Sequence, residues 1–192
     1  MKTSVFIATS LDGYIARNDG AIDWLNAANE MAPPGEDCGY AAFMSTVDVI
    51  IMGRNTFELV LSFGGWHYGD KRLIVLSSKP YAIPAYVPKT VTASSESPAA
   101  LLQRLSVEGA THAYVDGGLT IQSFLRAGLI NDITITLIPV ILGEGKPLFG
   151  PVAADVHLRS ISSHRYDFGF VQIKYAVVAS EVKIPPKALQ AL

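Results

Sequence analysis

Short apolar runs that alternate with helix-like segments are the feature that most constrains the fold of this chain. Each run is continuously apolar, as in strands that are buried on both faces of a sheet. Strands of that kind, separated by helices, predict a mainly parallel α/β sheet with helices on both sides. The predicted strands are residues 5–9, 47–52, 73–76 and 113–115, and the predicted helices are residues 37–46, 55–61, 98–107 and a segment that ends near Arg126.

The last third of the chain has a different character. Residues 133–138 predict one more strand, and two β-rich runs within residues 155–179 flank the turn-forming segment Asp167-Phe168-Gly169. Such a pair predicts an antiparallel hairpin added at the edge of the sheet. Residues 18–35, rich in Asn, Gly, Ala and Pro, predict a long surface loop.

The length of 192 residues fits one domain with a substantial core. No internal repeat and no linker-like stretch divides the chain. We therefore expect a single domain over residues 1–180 and a loosely held C-terminal tail over 181–192, which contains Pro185 and Pro186.

Charge and cysteine content argue against several classes of function. The formal net charge is −2, which does not favour binding to a nucleic acid. No apolar stretch is long enough to span a bilayer, so we expect no membrane association. The single cysteine, Cys38, cannot form an internal disulfide, and no signal peptide is in view. These features predict a cytoplasmic protein that acts on a small molecule.

Several common catalytic motifs are missing. There is no complete G-x-G-x-x-G, no P-loop signature and no G-x-S-x-G. The four histidines are scattered along the chain, and there is no C-x-x-C pair. We therefore expect no metal site.

The first informative segment is Met52-Gly53-Arg54-Asn55-Thr56-Phe57-Glu58, which joins a predicted strand to a helix. Backbone N–H groups at the start of that helix favour an anion. Gly53 allows close approach of the backbone, Arg54 offers a guanidinium fork and Thr56 offers a hydroxyl. The alternative is a tight turn with a solvated arginine.

Two further strand ends repeat this arrangement. Gly117 and Gly118 leave room for a pyrophosphate beside bare backbone, with Leu119 and Thr120 opening the next helix. The segment Leu76-Ser77-Ser78 offers hydroxyls for a ribose phosphate, although alone it reads as an ordinary polar loop. The recurrence at two strand-to-helix corners of one sheet is what indicates anion-binding chemistry.

The order and spacing of these segments resemble the dihydrofolate reductases. The segment 52–58 is similar to their cofactor-phosphate motif, residues 76–78 to their 2′-phosphate corner, and Gly117-Gly118 to their paired glycines. The opening residues 8–16 resemble the strand and loop that cradle the nicotinamide.

Residues 127–132 and 139–149 resemble, more closely, the reductase domain of the bifunctional riboflavin-pathway deaminase–reductase. The resemblance spans roughly residues 3–180. The zinc deaminase half of that enzyme, with its H-x-E and C-x-x-C ligands, is missing from this chain.

The resemblance implies a dihydrofolate reductase-like α/β fold and an NADPH-dependent reductase. Hydride would pass to a C=N or C=O of a small heterocyclic or sugar-linked substrate, as in a 5-amino-6-(5-phosphoribosylamino)uracil reductase. A pteridine reductase and a non-catalytic NADP-binding module are the alternatives. The residues that the resemblance places at the cofactor are Ala8, Ile15, Gly53, Arg54, Asn55, Thr56, Leu76, Ser77, Ser78, Gly117, Gly118, Leu119 and Thr120.

Three residues are candidates for the substrate side of the site. Asp37 lies sixteen residues before Gly53, about where dihydrofolate reductases carry their substrate carboxylate, but it is also placed to cap a helix. Asp12 is the second candidate acid, and Trp24 is a candidate substrate contact. The resemblance also implies a homodimer, with residues 133–142 near its interface.

Overall fold

A computed structural model of the chain describes residues 1–178. Within that range, an eight-stranded sheet has the order β5-β4-β3-β6-β1-β7-β10-β9, and β2 pairs with β8 in a small second sheet. The strands are β1 Lys2–Ser10, β2 Tyr14–Ala16, β3 Val49–Gly53, β4 Arg72–Leu76, β5 Val91–Ser94, β6 His112–Asp116, β7 Asp132–Ile138, β8 Lys146–Pro147, β9 Leu158–Arg165 and β10 Val171–Val177. The helices are α1 Asp23–Asn29, α2 Tyr40–Ser45, α3 Arg54–Ser62, α4 Pro98–Val107 and α5 Gly118–Arg126.

The sheet has the mixed topology that the sequence predicts. In the sheet order given above, the first six strands, β5, β4, β3, β6, β1 and β7, are each parallel to their neighbours. The hairpin of β9 and β10 follows, with β10 antiparallel to β7. The predicted α/β fold, with a mostly parallel sheet and an antiparallel C-terminal hairpin, is confirmed.

Helices cover the two faces of the sheet because its central strands are apolar on both sides. On one face, α4 and α5 bury Leu101, Leu105 and Phe124 against the sheet. On the other face, Phe57 of α3 is buried and Phe43 of α2 packs beside it. Burial of apolar area in these two layers is the main stabilising term of such a domain.

The predicted loop over residues 18–35 is wrong, because it contains α1. Trp24 and Ala28, four positions apart on one face of this helix, pack against Ile138 and Phe170. Two buried positions in seven residues are too weak a periodic signal to reveal a helix from the sequence. The contact with the sheet is what stabilises so short a helix.

The ends and edges of the fold also differ in part from what the sequence predicts. The short strands β2, β5 and β8 were not predicted from the sequence. Ser97 is the N-cap of α4, since its hydroxyl accepts a hydrogen bond from the N–H of Ala100 at 3.3 Å. The whole of the predicted tail, 181–192, and the last two residues of the predicted domain, 179 and 180, lie outside the described residues. No helix among residues 1–178 is both long enough and apolar enough to cross a membrane.

Candidate active site

The three corners singled out in the sequence lie at one edge of the sheet. Because β3, β4 and β6 are parallel neighbours, their carboxyl ends lie side by side. Gly53 pairs with Leu76, and Met52 pairs with Asp116 directly before the paired glycines. Ligands of open α/β sheets bind at this edge.

Two glycine–threonine contacts join the starts of α3 and α5. Gly117 has a φ of +84°, and a Cβ placed on it would lie 2.2 Å from Oγ1 of Thr56. In the reciprocal contact, a Cβ on Gly53 would lie 2.9 Å from Oγ1 of Thr120. Each glycine therefore packs against the threonine of the other helix, and neither position tolerates a side chain without movement. Neither helix start has a side-chain cap, so backbone N–H groups remain for an anion.

The strand and loop after β1 reach the same corner. A Cβ on Gly118 would lie 2.8 Å from Cδ1 of Ile15 and 3.4 Å from the carbonyl oxygen of Pro147. The pairing of β2 with β8 holds Ile15 there. Thr120 is buried, whereas the side chain of Leu119 is exposed to solvent. Leu119 can therefore contribute only its backbone to this corner.

The third corner is a compact turn beside Gly53. The hydroxyl of Ser77 donates to the carbonyl of Lys79 at 2.7 Å, and the N–H of Ser77 donates to the carbonyl of Ser94 at 3.0 Å. Ser78 is exposed. A ligand phosphate there would therefore compete with the turn for the Ser77 hydroxyl.

Arg54 and Asn55 lie at the outer edge of the same region. Nε of Arg54 is 3.6 Å from a carboxylate oxygen of Glu58, and its guanidinium lies 6.0 Å from the centre of the Tyr81 ring. The side chain of Arg54 is 41% exposed, and Asn55 is exposed. An ion pair this exposed contributes little stability, so Arg54 can turn towards an anion at small cost.

An open cleft of about 450 Å³ lies beside Ala8 and is the candidate substrate site. Its walls come from β1, β7, α1 and the segment that leads into α2, and they include Ile138 and Tyr40. Asp37 lines this cleft and also accepts hydrogen bonds from the N–H groups of Gly39 at 2.8 Å and Ala41 at 2.7 Å. The position of Asp37 is therefore compatible with both roles that the sequence left open, contact with the substrate and capping of α2.

Trp24 lies behind the wall of the cleft. The residue is only 6% exposed and packs with Ile138 and Phe170, which line the cleft. Its indole Nε1 is buried and has no hydrogen-bond partner among the described residues. Trp24 is therefore placed to support the wall.

Asp12 ties the loop after β7 to the loop after β1. Its carboxylate accepts the N–H groups of Leu142 at 3.1 Å and Gly143 at 2.8 Å. A hydrogen bond from Ser10, and then these backbone bonds, hold the pKa of Asp12 below its ordinary value. A carboxyl that stays ionised in this way is a poor proton donor.

Asp116 is a candidate residue that sequence reasoning missed. Burial raises its pKa, while a hydrogen bond from the N–H of Gly117, at 2.8 Å, opposes the increase. Burial, and next the charge of Asp116, raise the pKa of Tyr40 to about 12. Tyr40 lines the cleft, whereas Asp116 is not among the lining residues and lies behind Tyr40, directly before the paired glycines. A carboxyl with a raised pKa in such a place is a marker of a functional site.

Metal ligands are not part of this arrangement. Among residues 1–178, no group of three or more His, Cys, Asp and Glu side chains is placed to hold a metal ion.

A mostly parallel sheet with glycine corners and a cleft at its carboxyl edge defines an α/β domain of the reductase type. The chain belongs to the family of the RibD C-terminal domain, whose model matches residues 2–172. This confirms the resemblance to the riboflavin-pathway reductase domain.

The relatives found by comparison agree with this family. The chain is 38% identical over 160 residues to the uncharacterized protein YwjB of Bacillus subtilis, covering 82% of this chain and 88% of YwjB. A crystal structure from Shewanella sp. PV-4, provisionally named a riboflavin biosynthesis protein, is 38% identical with a TM-score of 0.87, covering 93% of this chain and all of that one. The deaminase/5-amino-6-(5-phosphoribosylamino)uracil reductase of Thermotoga maritima shares the fold at 15% identity, with a TM-score of 0.67 over 92% of this chain and 56% of that enzyme.

Proposed function

We propose that this chain is a cytoplasmic, NADPH-dependent reductase of the riboflavin-pathway type. It would reduce a C=N or C=O bond in a small heterocyclic or sugar-linked compound, the class to which phosphoribosylaminouracil belongs. The observation that supports this proposal most is the pair of reciprocal contacts between Gly53 and Thr120 and between Gly117 and Thr56. These contacts keep two uncapped helix starts together beside Ile15, where a dinucleotide needs bare backbone.

The cofactor-binding residues divide by the group that they would hold. The helix starts at Arg54 and Gly118 would receive the pyrophosphate through backbone N–H groups. Arg54, Ser77 and Ser78 would hold the 2′-phosphate, and the backbones of Ala8 and Ile15 would hold the carboxamide. NADPH supplies the hydride when it is bound.

The substrate would bind in the cleft beside Ala8. Asp37 lies at its mouth and would hydrogen-bond to a ring N–H group, while Trp24 would keep the wall in place. Asp116 would hold the proton that the reduced nitrogen or oxygen gains, because its raised pKa favours the protonated form. Asp12 would act as a positioning residue through the loop at Leu142 and Gly143.

Cofactor preference provides the direct test of this proposal. A 2′-phosphate can form charge-assisted hydrogen bonds with Arg54, each worth about 1.5–3 kcal/mol, and these are absent with NADH. We expect calorimetry to show NADPH binding at least about tenfold more tightly than NADH. Arg54→Gln should remove most of the difference while leaving NADH affinity almost unchanged. Equal affinity of the unaltered protein for the two cofactors would contradict the proposal.

We also propose that two copies of the chain form a homodimer at the β9 edge of the sheet. Ile133 and Ile138 are buried inside the chain, so within residues 133–142 the side chain most able to meet a partner is Ile141, at 69% exposed. Leu158 and Ile161 of β9 are also exposed, at 40% and 49%. An edge strand that carries apolar side chains is suited to pairing with another copy.

Light scattering at micromolar concentration tests this assembly. We expect the mass of a dimer for the unaltered protein and of a monomer for Ile161→Lys, because a buried lysine without a partner is costly. Glu30→Lys, an exposed change distant from β9 in the chain, is the matched control and should remain dimeric. A monomer for the unaltered protein would rule out the dimer.

A further inference from the structure

The charges around the candidate substrate cleft are all of one sign. Among the described residues, none of those lining the cleft beside Ala8 is Lys, Arg or His. Its charged lining residues are Glu36 and Asp37, which accept backbone hydrogen bonds from Cys38 at 2.7 Å and from Gly39 at 2.8 Å. These bonds fix the two carboxylates at the mouth. A phosphate brought to this cleft would meet negative charge without a cation to neutralise it.

Among the described residues, Arg54, Lys2 and Lys174 are cations that lie outside this cleft. Arg54 stands at the cofactor corner, and Lys2 and Lys174 line a separate groove of about 410 Å³ on the same face of the sheet. Phe6 borders both the groove and the cleft, so a long substrate would need to pass between them to reach Lys174.

Gln172 closes that passage. Its Nε2 donates to the carbonyl of Cys38 at 2.9 Å and to the hydroxyl of Thr136 at 3.0 Å. The amide thus bridges the segment before α2 and the sheet. Because both of its donor hydrogens are used, opening the passage would leave polar groups unpaired.

The walls of the cleft suit a flat ring. Phe6 stacks on Phe43 at 5.0 Å between ring centres, and Tyr40 lies 5.7 Å from Phe6. On the other side, Phe170 packs edge-on against Phe168 at 4.8 Å. Apolar and aromatic walls with a few polar groups at one end are typical of sites for small heterocycles.

We infer that the acceptor reduced by this protein is a planar heterocycle without a phosphate group, neutral or positively charged. This inference rests on the proposed function, since it assumes that the cleft beside Ala8 is where the acceptor binds. It narrows the proposal by separating this chain from reductases that act on a phosphoribosyl compound.

The test compares matched pairs of compounds on the protein saturated with NADPH. One pair is 5-amino-6-ribosylaminouracil and its 5′-phosphate, and the other is 6-hydroxymethylpterin and its diphosphate ester. We expect the unphosphorylated member of at least one pair to bind about tenfold or more tightly than its ester, as measured by calorimetry. Equal or tighter binding of the esters would overturn the inference. The failure of all four compounds to bind at about 1 mM would also overturn it.

Two variants locate the origin of this selectivity. Asn29→Lys puts a cation on the cleft lining at an exposed position, and it should tighten binding of the ester several-fold relative to binding of the unphosphorylated member. Lys174→Gln, in the groove beyond Gln172, should change neither member. A tenfold loss of ester affinity in Lys174→Gln would show that the phosphate crosses to the groove, and would overturn the inference.

The cofactor measurements keep this inference separate from the proposed function. If NADPH binds with the expected preference but the esters bind as tightly as the unphosphorylated compounds or more tightly, the inferred class of acceptor is wrong and the reductase proposal stands. If NADPH does not bind, the proposed function fails, whatever the compound pairs show.

Discussion

A Gly117→Ala variant should bind NADPH at least about a hundredfold more weakly than the unaltered protein, a loss of about 2.7 kcal/mol. The added Cβ would lie 2.2 Å from Oγ1 of Thr56 and 3.2 Å from its Cβ, so either the backbone or α3 must move. The φ of +84° adds a further penalty for any residue with a side chain. Movement of either corner separates the two helix starts that we propose hold the pyrophosphate.

Gly128→Ala is the matched control for this prediction. Gly128 also has a positive φ, of +67°, but a Cβ on it would meet nothing within 4 Å. Both variants place a side chain at a positive φ, but only Gly117→Ala adds a clash, and its ψ of 136° is itself unfavourable for alanine. Thermal unfolding would report the stability cost of each variant, and calorimetry with NADPH would report the effect on the cofactor site. If Gly117→Ala bound NADPH as tightly as Gly128→Ala, the glycine corner would not be the cofactor site.

The mainly parallel sheet and the shared edge of its corners were predictable from the sequence for a physical reason. Apolar runs separated by helices require parallel pairing, and parallel strands end at the same edge of a sheet. The corners at Gly53 and Gly117 could therefore be assigned to one site. The contacts of Thr56 with Gly117 and of Thr120 with Gly53 could not, because they depend on how two helices far apart in the chain approach each other.

The substrate side was harder to predict because its residues act through their surroundings. The spacing before Gly53 identified Asp37, and the structure places it both on the cleft and at the start of α2. Asp12 was a candidate acid in the sequence, yet a hydrogen bond from Ser10, and then the N–H groups of Leu142 and Gly143, lower its pKa. Nothing in the sequence singled out Asp116, because its pKa is raised by burial, which depends on the folded surroundings.

Asp116→Asn should make the protein more stable at neutral pH. The pKa of Asp116 is raised from an ordinary value of 3.8, so between that value and the native pKa the folded chain keeps a proton that the unfolded chain has lost. The unfolded state then binds fewer protons, and stability falls as the pH rises through this interval. At neutral pH, above the ordinary value, the folded state therefore carries a penalty for this buried group, either as a retained proton or as a buried charge. Asparagine carries no such charge, so its advantage in thermal unfolding should shrink as the pH is lowered towards 4.

The same Asp116→Asn change should lower the rate of NADPH oxidation about a hundredfold or more, because the amide cannot donate the proton that the reduced acceptor needs. NADPH affinity should stay nearly unchanged, since the side-chain oxygen of asparagine can still accept the N–H of Gly117.

Asp37→Asn is the matched control for this prediction. Asparagine can still accept the N–H of Ala41 and cap the helix, so stability should be unchanged. Loss of the substrate contact should raise KM with little effect on kcat. The rates are measured with whichever acceptor binds most tightly in the paired screen. If Asp37→Asn lost kcat and Asp116→Asn kept it, Asp37 would be the proton donor, and the raised pKa of Asp116 would be a consequence of burial alone.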